Sequence, residues 1–351
     1  VGVVAGLMLA PALVLSPLFG IISDRINPRN GLLLTIGLHA LLAGVAAVAS
    51  AAGVFDLSVL LLVAAILGVT TSAHTPIRLA LVPLLVPRQS LPNAIGYSAI
   101  TFNTARILGP ALGAWLLQLG PDSAAYLVAA LLMLAALPLL ATTVGRHRPV
   151  TASEIGFRAQ LHEGLHYTRT HAAIRLVFGY TLVNAILGRT VIELLPALAG
   201  AVLGGNASTL ATLTASAGAG SILGGLIVSR QGGGMPRLMR LLRLGLALGV
   251  VLVAFLGSSR DEPSMAFIIG MISLIATVAG TTSQALAQLL VDEDYRGRVM
   301  SLWTMVAMGA PAAGALVMGV LADLFSFSVV LPGFALVAAA ALVMLYRVQA
   351  A

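Results

Sequence analysis

Cysteine is absent from the 351 residues, and so is lysine: all nineteen basic residues are arginine. Without cysteine there are no disulfides, which suits a protein whose connecting loops are too short to need them. Charge is scarce as well. Only 9% of residues are charged and 59% are hydrophobic, with a mean hydropathy of +1.03. A soluble domain carries about 25% charged residues, so water is not the main solvent of this chain. A cleaved signal peptide is excluded as the source of that hydropathy, because the apolar runs repeat along the whole length.

What is present is a series of eleven apolar runs, at 1–23, 31–51, 57–82, 93–117, 123–144, 172–203, 208–229, 238–256, 265–290, 299–321 and 329–346. Each is long enough to cross the hydrocarbon core, which takes about 20 helical residues. The formal charge of +7 would suggest nucleic acid as a partner for a soluble protein, but the arginines alternate by loop. One set of loops and the C-terminal tail hold sixteen of them: Arg25 and Arg29; Arg78 and Arg88; Arg146, Arg148, Arg158, Arg169 and Arg175; Arg230, Arg237, Arg240 and Arg243; Arg296 and Arg298; and Arg347. The opposite loops hold only Arg260. By the positive-inside rule the arginine-bearing side and the C-terminus are cytoplasmic, and no nucleic-acid partner is expected.

The sequence also repeats itself. GIISDR at 20–25 resembles GLIVSR at 225–230, and LLV at 84–86 returns at 289–291, both displaced by 205 positions. Pro110-x-x-Gly113 and Pro311-x-x-Gly314 are displaced by 201. Two similar halves follow. If the second begins near Ala172, the first begins upstream of Val1, so about one helix is expected to be missing, leaving eleven of twelve. The expected organisation is an N-terminal bundle at 1–144, a cytoplasmic linker with an amphipathic helix at 145–171, and a six-helix bundle at 172–351.

The loop GIISDRINPRN resembles the G-x-x-x-D-R-x-G-R-[RK] signature of the major facilitator superfamily, with Gly20, Asp24, Arg25 and Arg29 matching and Asn27 and Pro28 departing from it. Asp24 ends a helix, where the dipole disfavours an anion by about 0.3–1 kcal/mol, so it needs a cationic or helix-N-terminal partner. A bond made only while the cytoplasmic side is closed would act as a gate. From Val82 to Trp115 the chain resembles exporter-type facilitators, a group that includes enterobactin-exporter-like and macrolide-efflux-like proteins. Gly96, Ala105, Gly109, Pro110, Gly113 and Ala114, with Arg106, follow the spacing of the superfamily's antiporter motif. Small residues there would let helices approach closely, and the proline would bend one. DEDYRGRVM at 292–300 is similar to the matching loop of the second half. The resemblance implies an all-α membrane protein of two pseudo-symmetric bundles. It also implies export of a small molecule, with no cofactor and a proton gradient as the energy source.

Within the spans, Arg106, Arg189 and Glu193 stand out, since a charge at the bilayer centre costs about 2.5–3.5 kcal/mol unless it faces a cavity or a partner. Arg189 and Glu193 are one turn apart and can pair. Two readings stand: Glu193 as the titratable coupling group, or a permanently paired structural bridge. His74, Asn103, Gln284 and Gln288 are the cavity candidates, because in the resembled fold the spans of His74 and Gln284 border the central cavity; hydrogen bonds between helices are the other reading of such polar groups. His39 reads as a packed helix histidine. Trp115 and Trp303 fit either a greasy pocket or the core.

His162 to His166 reads HEGLH, the H-E-x-x-H pattern in which two histidines bind zinc and Glu163 acts as base. Arg158 and Arg169 flank it on the same stripe and would repel a dication, and no further ligand set follows. Thr151 and Glu154 suggest a capped helix start, with Phe157, Leu161 and Leu165 forming an apolar stripe. The expected function is therefore proton-coupled efflux of a moderately hydrophobic molecule, a drug or siderophore, by a monomer in a bacterial inner membrane. An uptake symporter of the same fold is the first alternative and a membrane zinc peptidase the second.

Overall fold

A computed structural model describes residues 7–8, 11, 15, 18–19, 22–23, 26–143, 157–205, 207–230 and 234–350. Among them there is no β-strand. The principal helices are α1 (Pro28–Ala51), α2 (Leu57–Leu85), α3 (Leu91–Leu119), α4 (Ser123–Ala141), α5 (Phe157–Thr170), α6 (Ala172–Asn184), α7 (Ala207–Arg230), α8 (Met235–Leu256), α9 (Glu262–Leu290), α10 (Arg296–Phe325) and α11 (Phe327–Ala350). Among the described residues nine helical stretches are long and apolar enough to span a membrane. The run at 93–117 is the 29-residue α3, and the run at 1–23 falls largely outside the described residues.

The internal repeat is visible in the element boundaries. Helices α2 and α9 are each 29 residues long and displaced by 205 positions at both ends, 57 to 262 and 85 to 290. The single 3-10 turns that follow, Arg88–Ser90 and Glu293–Tyr295, keep the same displacement. Asp56 caps α2, its Oδ1 accepting from the Val59 amide at 2.9 Å, which satisfies one of the free N–H groups of the first turn. In the 20–30 loop, Asn27 and Pro28 depart from the signature because they start a helix: Asn27 Oδ1 accepts from the Arg29 amide at 3.0 Å and proline occupies the first helical turn.

The chain divides into two compact units, Val1–Pro87 with Leu108–Tyr167 and Val291–Met305, and Arg88–Ile107 with Thr168–Leu290 and Val306–Ala351. In the first unit α1 packs on α2 and α4 around Leu32, Ala73, Ile77 and Leu81. Its opposite stripe, Leu34, Leu38, Leu41, Val45 and Val48, is exposed, Val48 by 71%. An outward apolar stripe at helical spacing is what a lipid-facing surface requires.

In the second unit α9 is the central element, packed against α6, α7 and α8. Its tightest crossing is with α7, where Gly220 and Gly224 are four residues apart. A Cβ built at Gly220 would collide with the Gly270 carbonyl oxygen, and one at Gly224 would lie 2.5 Å from that of Leu274. Small residues at this spacing let two helix backbones approach where no hydrophobic effect drives them together.

Candidate functional site

Glu193 lies where its span stops being a regular helix. Beyond Asn184 the chain forms a π turn, Ala185–Arg189, then an α turn, Thr190–Glu193, a break at Leu194, and another π turn at Leu198–Val202. Pro196 explains the break, since proline has no N–H to bond the carbonyl four residues back, that of Ile192, and its ring crowds that carbonyl. Partners from other helices hold the irregular stretch. Asn184 Nδ2 donates to the Ala276 carbonyl at 3.1 Å, and Thr190 Oγ1 donates to the Ala185 carbonyl at 3.0 Å and the Pro311 carbonyl at 3.4 Å.

A cavity of about 300 Å³ opens beside this break, lined by Glu193 together with Pro196, Thr214, Ser221 and Ser273. A short hydroxyl chain leads to its wall: Thr277 Oγ1 donates to Ser221 Oγ at 3.1 Å, and Ser221 Oγ lies 2.7 Å from Ser273 Oγ. Those serines come from α7 and α9, held together by the glycine crossing described above. Among the described residues Glu193 is the only ionisable side chain on the cavity wall. It is exposed, Arg189 is half-buried, and no ion pair joins the two among the described residues. Sequence reasoning singled out Glu193 but passed over Thr214, Ser221, Ser273 and Thr277, whose only signal is a hydroxyl inside an apolar run.

The other candidates are scattered. His74 is held between helices, its Nδ1 3.1 Å from Thr35 Oγ1 on α1, while His39 Nε2 lies 2.9 Å from Thr70 Oγ1. The two rings stand 5.8 Å apart, so both histidines belong to a polar seam between α1 and α2. Gln288 is 1% exposed and Gln284 half-buried, both on α9. Gly20, Asp24 and Arg25 of the gating motif lie outside the described residues, as do Thr151 and Glu154; Arg29 is half-buried. Arg106, Gly109, Pro110 and Gly113 all lie on α3, but the side chains of Asn103, Arg106 and Pro110 are outside the described ones. Among the described residues, a Cβ built at Gly109 or Gly113 meets nothing within 4 Å. Gly96 of the same motif does make a close approach, since a Cβ built there would lie 2.8 Å from the Ser229 Cα on α7. Trp303 is buried and Trp115 exposed.

HEGLH lies on α5, and its glutamate is committed elsewhere: Glu163 Oε2 accepts from Arg298 Nη1 of α10 at 2.7 Å. One turn on, the Tyr167 hydroxyl donates to Asp292 Oδ2 at 3.0 Å and accepts from the Asp292 amide at 3.2 Å. The Tyr167 ring stacks on Tyr295 at 4.5 Å, and the Arg298 guanidinium lies 5.3 Å from the Tyr295 ring centre. Gly164 permits this docking, since a Cβ built there would sit 3.1 Å from Arg298 Cβ. Burial raises the pKa of the Tyr167 phenol, which keeps it a proton donor to the carboxylate. The covered face of α5 thus runs through Gly164, Tyr167 and Thr168, while Leu165 of the expected apolar stripe is exposed. His162 and His166 are exposed as well, and among the described residues no group of three or more histidine, aspartate or glutamate side chains could hold a metal.

The chain is all-α and multi-pass with a duplicated helix order, and solved structures of the major facilitator fold match it over almost its whole length. The human organic anion transporter TETRAN matches with a TM-score of 0.81 at 18% identity, covering 98% of this chain and 83% of that one. The Escherichia coli fucose:proton symporter matches with 0.79 at 14% identity, covering 99% and 90%. More particularly, the chain belongs over residues 1–351 to the family described as transmembrane secretion effector. Among its relatives, the staphyloferrin A transporter of Staphylococcus aureus is 25% identical over 336 residues, 92% of this chain and 81% of that protein. The macrolide efflux protein A of Enterococcus faecalis is 22% identical over 299 residues, 83% and 91%. The protein is accordingly a transporter and not an enzyme, and the zinc-peptidase reading of HEGLH is set aside.

Proposed function

We propose that the protein exports a small, moderately hydrophobic organic molecule, of the drug or siderophore class, in exchange for protons. Two helical bundles would alternate access to the cargo in a bacterial inner membrane, with the C-terminus cytoplasmic and the monomer as the working unit. The observation that carries the reading is Glu193, among the described residues the only ionisable group on the wall of a cavity otherwise lined by hydroxyls and apolar side chains. A carboxylate facing a cavity can bind a proton in one state of the transporter and release it in another. The names of the two relatives, one a siderophore transporter and one a macrolide efflux protein, support cargo of this class. Asp24, Arg25 and Arg29 would close the cytoplasmic side of the first half, with Gly20 at the start of that motif. Arg106, Gly109, Pro110 and Gly113 would form the pivot on α3, and His74, Asn103, Gln284 and Gln288 would complete the polar surface met by cargo.

The test uses inside-out vesicles carrying the protein, an imposed proton gradient, and a panel of dyes and siderophores. Gradient-driven accumulation is expected, falling by about tenfold in Glu193→Gln, the size of a typical coupling free energy between two sites. Accumulation unchanged in that variant would remove the proton role from Glu193. Uptake confined to right-side-out vesicles would make the protein a symporter.

A further inference from the structure

A second cavity, of about 640 Å³, opens on the outer flank of the second unit between α6, α8 and α11. Arg240, Arg243 and Arg347 stand around it, and Leu244, Ala247 and Val343 form its apolar lining. The lining is open to the surroundings: Leu244, Ala247, Val343, Arg240 and Arg347 are all exposed. None of the three helices carries a single aspartate or glutamate, so no carboxylate on them balances the guanidinium groups. One of those groups is already positioned. Arg243 Nε donates to the Met239 carbonyl at 3.4 Å, and its guanidinium lies 5.7 Å from the Tyr346 ring centre, an arrangement that holds the planar head in place. Arg240 and Arg243 belong to the first turns of α8 and Arg347 to the last turn of α11. The cationic rim therefore sits at one end of these spans, while Leu244, Ala247 and Val343 continue from it toward their middles.

We propose that this groove binds an anionic phospholipid, its phosphate on Arg240, Arg243 and Arg347 and one acyl chain along Leu244, Ala247 and Val343. Charge complementarity selects the occupant. Three arginines at one end of the groove, Arg240 and Arg347 of them exposed, attract a phosphate monoanion, and guanidinium groups can grip phosphate oxygens in pairs. The apolar lining beside them has no use for a fully hydrated anion, which makes a lipid the better fit than free phosphate. The site is separate from the Glu193 cavity, shares no residue with it, and does not depend on the identity of the cargo or on proton coupling.

The experiment measures lipid binding to the purified chain in detergent, by native mass spectrometry and by the shift in thermal midpoint. The probes are phosphatidylglycerol, phosphatidylcholine of the same acyl chains, glycerol 3-phosphate and inorganic phosphate. Phosphatidylglycerol is expected to bind tightest, with each arginine changed to glutamine weakening it about fivefold, so that R240Q/R243Q/R347Q approaches the phosphatidylcholine value. Ala247→Trp, which fills the groove and leaves the arginines in place, is expected to weaken phosphatidylglycerol binding at least tenfold; it also serves as the deciding variant should the triple change fail to fold. Equal binding of the two lipids would overturn the proposal, as would phosphatidylglycerol binding that survives either variant. Protection by inorganic phosphate or glycerol 3-phosphate equal to that of the lipid would overturn it in favour of a plain anion site.

Discussion

Arg298 reaches from α10 to Glu163 and also faces the Tyr295 ring, so one guanidinium joins the linker helix to the loop between α9 and α10. The pair is only partly screened, with side-chain exposures of 12% for Arg298 and 36% for Glu163. A partly exposed, well-aligned arginine–carboxylate contact contributes about 1 kcal/mol. A double-mutant cycle of Glu163→Gln and Arg298→Met, read in thermal midpoints, should return a coupling of that order, and additivity within error would mean the contact is idle. Tyr167→Phe should cost about 1 kcal/mol more, because it removes the hydroxyl that the buried Tyr167 donates to the exposed Asp292 carboxylate. None of this could be read from spacing. HEGLH draws the eye to its histidines, but the residue with a structural task is the glutamate between them, and its partner lies 135 positions along the chain. What was legible at this scale was Glu193, because a carboxylate in an apolar run is conspicuous; the serines beside it are not, since a hydroxyl in a span is commonplace.

Two kinds of glycine occupy the helices, and they should respond in opposite ways. Gly220 meets the backbone of α9 so closely that even alanine would push the helices apart. Gly220→Ala is therefore expected to destabilise the second unit by about 1–3 kcal/mol, the usual range for overpacking, and to disturb the Ser221–Ser273 contact one residue on. Gly109→Ala meets nothing within 4 Å among the described residues and should be neutral or stabilising by up to about 1 kcal/mol through helix propensity alone. Thermal unfolding of the two variants side by side separates them; equal losses would show that the α7–α9 crossing yields easily or that α3 is packed at Gly109 by something else. The glycine spacing on α3 advertised a tight contact by resemblance, whereas Gly220 and Gly224 belonged to no motif. Helix order and boundaries were far more legible, since the 205-residue repeat carries through to both ends of α2 and α9. The π turns around Glu193 were not, because they depend on packing against Ala276 and Pro311 from distant helices.

The proposed orientation of the protein rests on its arginines, sixteen against one across alternate loops. That bias acts during insertion and so decides which side each loop occupies. The complete absence of cysteine makes the orientation directly measurable, because any single cysteine introduced becomes the only thiol. Ser258 is exposed in the turn after α8, and His162 is exposed on the linker helix. In intact cells, Ser258→Cys should react with a membrane-impermeant maleimide, while His162→Cys should react only after permeabilisation. The reverse pattern would place the linker helix, Arg298 and the arginine-rimmed groove outside the cell. The vesicle assay would then read cargo movement in the opposite sense, so this labelling has to be settled before a direction of transport is assigned.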